Sequence, residues 1–259
     1  MADKTSVVLQ ARGVSDRGAV RPTNEDRFAI DEALGLCVVA DGMGGHNAGE
    51  IAAHLAIDAV LDVARDGRCT GWPFGFDPSL SEAGNLIRTA IYLANMHIIE
   101  MSGSSVAYAG MGTTIVAALV VDGRLTVGHV GDSRLYRLGG GSLRQLTGDD
   151  SWMAAMMASD PGTDASLLEY HPLRHVLTNV VGARDQVEVH VRELSLLPGD
   201  RLLLCSDGLH EPMTDDLIAP VLGGEDDVTA AATRLVREAL ERGSRDNVTA
   251  LVVDVGALK

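Results

Sequence analysis

TTIVAALVVDGRLTVGHVGD, Thr113 to Asp132, is the stretch on which the fold turns. Two runs rich in β-branched residues, Thr113–Val121 and Arg124–Val130, are separated only by Asp122-Gly123. That dipeptide tolerates the positive φ angles of a tight hairpin turn, so the runs read as antiparallel neighbours. The middle of the chain is therefore an antiparallel meander and not a series of βαβ units. Similar runs, bounded by Gly, Asp or Pro, mark strands at Asp26–Asp31, Leu36–Ala40, Ser133–Leu138, Gln186–Leu194, Arg201–Cys205 and Val248–Val253.

Helical periodicity falls between these strands. Ile51, Leu55, Ala59 and Val63 form one apolar stripe over Ala48–Arg65, and Leu86, Ile87, Ala90, Ile91, Ala94 and Ile98 form another over Ser81–Met101. A third helix is expected over Asp226–Glu241, ending near Gly243 as a C-terminal cap. Strands, two helices, strands again, then a late helix and a last strand predict an α+β fold with stacked sheets and helices outside. No repeat or low-complexity linker divides the chain, so residues 1–259 read as a single domain. Asp66–Ser79 reads as a loop with its own aromatic cluster. Gly148–Asp185 lacks clean periodicity and reads as a flap-like insertion, either a lid or specificity loop or a variable surface excursion.

The chain has 259 residues, 46% hydrophobic and 22% charged, enough apolar material for a sizeable core. Aromatics are only 3%, so that core must be aliphatic. A net charge of −15 argues against nucleic-acid binding, which needs basic faces. Cys37, Cys69 and Cys205 are scattered with no CxxC, which points to a reducing compartment and to inert buried thiols at Cys37 and Cys205. The N-terminus lacks the apolar core of a signal peptide, and no run approaches the ~18 apolar residues of a membrane span. A soluble cytoplasmic protein without membrane contact is expected.

Four aspartates end or begin strands: Asp41 in VVADGMGGHNAGE (Val38–Glu50), Asp132 in RLTVGHVGD, Asp207 in RLLLCSD and Asp246 in GSRDNVT. Glu25 and Asp26 stand at the start of another. Any one Asp-Gly at a strand end is an ordinary turn. If the strands are neighbours, however, several carboxylates meet at one edge of the core and need cations to neutralise them. A ligand set of oxygens alone selects hard ions, Mg²⁺ or Mn²⁺ before Zn²⁺. A cation also explains why a carboxylate stands beside glycines of the kind that cradle phosphate. Two ions roughly 3.5–4 Å apart share a carboxylate and hold phosphate oxygens, and a stripped backbone lets the Gly42 carbonyl reach a metal.

With these residues the sequence resembles the metal-dependent (type 2C, or PPM) serine/threonine protein phosphatases, most closely the compact bacterial ones. The likeness runs in order through GAVRPTNED (Gly18–Asp26), VVADGMGGHNAGE, GMGTTIVAALV (Gly110–Val120), VGHVGDSRLYRL (Val127–Leu138) and QLTGDDS (Gln145–Ser151). It continues through HPLRHVLTNVVGA (His171–Ala183), LLLCSDGL (Leu202–Leu209) and GSRDNVTALVV (Gly243–Val253).

The resemblance implies two stacked antiparallel β-sheets flanked by helices, an α-β-β-α sandwich. It implies that Asp41 bridges two core ions, Mn²⁺ or Mg²⁺, with the Gly42 carbonyl on the second and Asp207 and Asp246 completing the first. Asp132 with Asp207 would hold a third, weaker ion. Glu25 would act through a metal-bound water, Arg21 would clamp the phosphate, and Asn247 and Asp26 would support the ligands. The implied reaction is direct hydrolysis of phosphoserine and phosphothreonine, in which a hydroxide bridging the ions attacks phosphorus. Phosphorylated proteins would be the substrates, a serine/threonine kinase a partner, and a monomer the working form.

Departures from the family pattern bear on this. Animal members carry histidine after the DG, proposed as the general acid; here, as commonly in bacterial members, the position is Met43. His46 and metal-bound water remain the candidate proton donors. The usual aspartate-histidine pair after LT is Asp149-Asp150, and SDGL is followed by His210-Glu211-Pro212, which points to unusual substrate recognition. His129, on an apolar strand, reads as a satisfied core residue. A dinucleotide-binding reading fails because G-x-G-x-x-N from Gly42 ends on Asn47 and Asp41 would repel pyrophosphate. A catalytically silent binding or scaffold module of the same fold is the second alternative; such a protein should have lost a metal ligand.

Overall fold

The computed structural model describes residues 7–45, 48–67, 71–160, 162, 168 and 171–257. One sheet holds, in spatial order, β1 (Val7–Asp16), β11 (Val248–Ala257), β10 (Arg201–Cys205), β7 (Arg134–Gly139) and β8 (Ser142–Gln145). The other holds β2 (Asp26–Asp31), β3 (Leu36–Met43), β5 (Ile115–Val121), β6 (Arg124–Val130) and β9 (His190–Ser195), with the short β4 (Gly112–Thr113) against the end of β3. These pairings are antiparallel. The hairpin at Asp122-Gly123 forms as its sequence demands: φ is 48° and 73°, and Val121 pairs with Arg124.

The layering follows from the two-residue period of the strands. On β3, Leu36, Val38 and Ala40 face α1 (Ala48–Asp66) and α2 (Glu82–Ser104), whereas Cys37 and Val39 face the other sheet. Ile115, Ala117 and Leu119 on β5 divide from Val116, Ala118 and Val120 in the same way. In the opposite sheet Leu202 and Leu204 enter the space between sheets. Leu203 and Cys205 face α5 (Asp215–Gly224) and α6 (Val228–Glu241). Leu202, Leu203 and Leu204 are all fully buried, each contributing about 1.5–3 kcal/mol of transfer free energy. Three cores, helix on sheet, sheet on sheet and sheet on helix, make the expected α-β-β-α sandwich.

Several elements differ from the sequence reading. β3 runs past Ala40 to Met43, so Asp41 and Gly42 are strand residues and not a turn. The run from Thr113 breaks at Thr114, whose hydroxyl accepts from the Asp41 N–H instead of facing a core. β9 starts at His190, not Gln186, because the Asn179 amide takes both backbone groups of Glu188. β1, β8, α5, α3 (Trp152–Ser159) and the one-turn α4 (Asp207–His210) were not expected. Gly243 follows α6 with φ 87°, the left-handed cap its sequence called for. The loop after α1 does pack its own aromatics, with Trp72 on Phe76 at 5.3 Å and Phe74 on Tyr92 at 5.1 Å. Cys69 lies outside the described residues.

Candidate active site

Arg21, Glu25, Asp41, Gly42, Asp132, Asp207 and Asp246 all line one cavity of about 180 Å³. The two sheets place them there: Asp41 and Gly42 on β3, Asp132 in the turn after β6, Asp207 where β10 enters α4, and Asp246 just before β11. Arg21 and Glu25 come from the segment between β1 and β2. The structure adds Met43, Gly44, Thr114, His175 and Leu177 to the lining. His46 lies outside the described residues. A larger groove of about 810 Å³ is also lined by acids, but there Asp200, Glu225 and Asp254 are each paired with an arginine, Arg137, Arg234 and Arg201.

Hydroxyls and amides fix the carboxylates from behind. The Asp41 N–H donates to Thr114 Oγ1 at 3.0 Å, and its carbonyl accepts from the Thr114 N–H at 2.9 Å and from Thr113 Oγ1 at 2.8 Å. Thr114 Oγ1 also bonds Ser133 Oγ at 2.7 Å, which ties Asp41 to the turn carrying Asp132. Asp26 stands opposite Asp41 on β2, with one carboxylate oxygen accepting from Ser206 Oγ and Thr249 Oγ1 at 2.7 and 2.6 Å. Asn247 holds the segment that carries Arg21 and Glu25. Its Oδ1 accepts from the Glu25 N–H, and its Nδ2 donates to the carbonyls of Arg17 and Thr23.

The remaining carboxylate oxygens are what a cation would satisfy. Glu25 Oε1, Asp26 Oδ1 and Asp207 Oδ1 are buried without a hydrogen-bond partner, a costly state for an anion. Burial, then Glu211 and Asp246, push Asp207 up to about 7. Burial also lifts Asp26 to about 7. Asp41 and Asp132 are raised well above the usual carboxylate range, by burial first and then by the neighbouring carboxylates. Such a set fits hard divalent ions. Among the described residues, however, no three His, Cys, Asp or Glu side chains already close around one point. The Asp246 carboxylate is engaged by the Arg21 guanidinium, so that pair must yield before Asp246 can take an ion.

The glycine of β3 and the one facing it on α1 have a packing reason. A Cβ on Gly42 would lie 2.0 Å from the Gly49 carbonyl oxygen, and one on Gly49 would lie 2.8 Å from the Glu25 carboxyl and Gly42 backbone. The first turn of α1 is thus seated directly on Gly42. A Cβ on Gly45 would meet nothing within 4 Å.

Two histidines were not anticipated in the site's surroundings. His175, from the chain after α3, lines the cavity with Nδ1 2.7 Å from Glu211 Oε1. No sequence signal placed it there, because it comes from a stretch without clean periodicity. His210 is half-buried at the end of α4, and desolvation pushes it down to about 3. As a neutral imidazole it donates from Nε2 to the Asp132 carbonyl at 3.0 Å.

The Asp149-Asp150 departure is also accounted for. Asp149 accepts the Arg134 fork at 2.9 and 2.6 Å. Asp150 accepts from the Gly131 N–H, Asn179 Nδ2 and His190 Nε2 at 2.9, 2.8 and 3.0 Å, which binds the Asp132 turn to the base of the insertion. His129 bonds Gly148 O through Nε2 and stacks on His190, but its Nδ1 is buried without a partner, so it is only half satisfied.

Paired sheets carrying a carboxylate-lined cavity at one end are the arrangement that the sequence likeness predicted. Residues 16–246 match the model of the family described as Protein phosphatase 2C, and the chain belongs to that family. It is 34% identical over 255 residues to the serine/threonine protein phosphatase PstP of Mycobacterium tuberculosis, which covers 97% of this chain and 46% of that protein. The chain thus spans about half the length of that relative. It is 30% identical to the serine/threonine phosphatase stp of Listeria welshimeri, covering 95% of this chain and 96% of the other. The crystal structure of the PstP catalytic domain in complex with two manganese ions superposes with a TM-score of 0.80. It shares 34% identity and covers 97% of this chain and all of that one.

Proposed function

We propose that this chain is a divalent-metal-dependent phosphatase hydrolysing phosphoserine and phosphothreonine in proteins. The observation that carries the reading is the convergence of Asp41, Asp132, Asp207 and Asp246 with Arg21 on one cavity, in a chain of this family. The two manganese ions of the PstP structure support Mn²⁺ or Mg²⁺ as the cofactor. Asp41, the Gly42 carbonyl, Asp207 and Asp246 would hold two ions, Asp132 with Asp207 a third and weaker one, and Glu25 would act through water. Divalent ions held there supply charge neutralisation and an acidified water as nucleophile.

The protein's own groups do the rest. Thr113 and Thr114 keep Asp41 in place, and Asn247 keeps Arg21 and Glu25 at the cavity. Arg21 meets the phosphate oxygens with its guanidinium fork, exchanging Asp246 for substrate. Met43 lines the cavity without an exchangeable proton, so the leaving-group proton falls to water or His46. Neither Cys37 nor Cys205 serves as nucleophile, because burial pushes both thiols up to about 12. Those free buried thiols support a reducing, cytoplasmic setting; among the described residues no helix is long and apolar enough to cross a membrane.

A silent scaffold would be expected to lack a ligand, and none of the four aspartates is missing. Residues 1–259 would act as one catalytic domain with 148–185 as a flap, and a kinase that phosphorylates the same substrates would be its partner. The reading is tested by phosphate release from phosphothreonine and phosphoserine peptides with Mn²⁺ or Mg²⁺ and with excess chelator. Release only with metal is expected; equal turnover in chelator overturns it.

A further inference from the structure

Beside the carboxylate cavity lies a second groove of about 480 Å³, and Arg21 and Asp246 line both, so the two adjoin at that ion pair. We infer that this groove receives the substrate polypeptide next to the phosphorylated residue and selects an acidic side chain there through Arg245. The inference rests on the phosphatase reading and adds to it the class of sequence preferred.

The groove has an apolar side and a cationic side. Val20, 56% exposed, and Pro212 offer aliphatic surface to a passing chain. Arg245 is exposed on the groove and makes no ion pair or hydrogen bond among the described residues. Two arginines near it in the chain or on the groove are occupied, Arg21 by Asp246 and Arg242 by Glu238. Glu211, also on the groove, lies with Oε1 2.7 Å from His175 Nδ1. In a chain of net charge −15, an unengaged guanidinium on a groove beside the proposed phosphate site is a group placed to read an anionic neighbour. Its planar fork matches a carboxylate through two parallel hydrogen bonds.

The wall that carries Arg245 is held in place before any substrate arrives. Ser244 Oγ donates to the Gly208 carbonyl at 2.8 Å and its N–H to Ala239 O at 3.1 Å. Gly18 presses on the other side, where a Cβ would lie 2.4 Å from Asp246 O. Little ordering of the backbone therefore opposes binding. A substrate lysine at the same place would meet Arg245 as a like charge.

The experiment uses phosphothreonine peptides that differ only by Glu, Ala or Lys placed singly at the three positions on each side of the phosphothreonine. For each enzyme the Glu-to-Lys ratio of kcat/KM is read, so any change in turnover shared by all peptides cancels. At its best position the unsubstituted enzyme is expected to favour Glu about tenfold, the scale of one attractive and one repulsive exposed charge contact. The ratio should fall to about one in Arg245→Gln, invert in Arg245→Glu, and shrink as salt is added. A ratio near one at every position in the unsubstituted enzyme overturns the inference. So does a ratio that Arg245→Gln leaves unmoved, and that milder variant decides the matter if Arg245→Glu does not fold. Failure of the phosphatase reading itself is distinct, since no peptide would then release phosphate.

Discussion

The Arg21 guanidinium and the Asp246 carboxylate form an ion pair in the cavity lining that joins residues 225 positions apart. In the proposed reading the pair sets two functions against each other, since Arg21 would meet phosphate and Asp246 would hold metal. The hydrogen bond to Asp246 is the main reason Arg21's pKa is raised. Arg21→Ala should lower kcat/KM on a phosphopeptide about 10- to 100-fold, the worth of a charged hydrogen bond. Mn²⁺ affinity by calorimetry should hold or rise, because Asp246 is released. Weaker Mn²⁺ binding in Arg21→Ala would show that the pair organises the ligands instead of competing with them.

Gly42 and Gly45 look alike in sequence and differ in what surrounds them. A Cβ on Gly42 runs into the Gly49 carbonyl, which is backbone and cannot swing aside. Gly42→Ala should cost about 1–3 kcal/mol or more, lowering Tm by roughly 2–10 °C. Gly45→Ala, with open space around it, should leave Tm within about 1 °C. Equal melting of the two variants would remove the packing explanation.

That contrast shows what could and could not be read from the sequence. β6 and β10 were legible to the residue because each apolar run is bounded on both sides by turn residues, Asp122-Gly123 and Gly131-Asp132 for β6, Gly199-Asp200 and Ser206-Asp207 for β10. The strand-end aspartates were legible as a cluster for the same reason. β1 was not: Gln10, Arg12 and Gly13 interrupt its pattern, and it exists through ten-residue pairing with β11, a tertiary cause. α5 was hidden by Pro220 within it and by two closing glycines. Gly42 was read as room for a ligand, whereas its missing side chain is required by α1. His175 reaches the cavity from a segment without periodicity, so no local signal could place it.

The His190–Asp150 pair should make stability depend on pH. The Asp150 hydrogen bond raises His190 above its ordinary value. Burial opposes ionisation of Asp150, yet the His190, Gly131 and Asn179 bonds hold it below the usual carboxylate range. His190's contribution is therefore full below about 6.5 and is lost as pH rises through its raised value. Asp150's is lost only in acid, as pH falls through its lowered value. The Tm difference between the unsubstituted protein and His190→Gln should shrink from pH 6 to pH 8.5, with contributions from other groups cancelling. A difference that grows over that range would reverse the assignment.

His210 should matter for the third ion more than for the first two. It donates to the Asp132 carbonyl from the helix that begins with Asp207, so it links the two residues proposed for that site. His210→Ala strands a buried carbonyl and should cost about 1–3 kcal/mol. In calorimetry the weaker Mn²⁺ step should weaken further while the tighter steps persist. Uniform loss of all steps would mean that His210 supports the fold and not that site.

The central claim is that the carboxylate cavity is a metal-dependent phosphatase centre. Its most direct test compares Mn²⁺-dependent phosphate release from a phosphothreonine peptide by the unsubstituted protein and by Asp207→Ala. The account predicts turnover in the first and a fall of at least about a thousandfold in the second, the several kcal/mol that metal assistance supplies. Melting of Asp207→Ala should remain close to that of the metal-free protein, since a buried carboxylate with an unpartnered oxygen has been removed. Turnover by Asp207→Ala within a few-fold of the unsubstituted protein would contradict it.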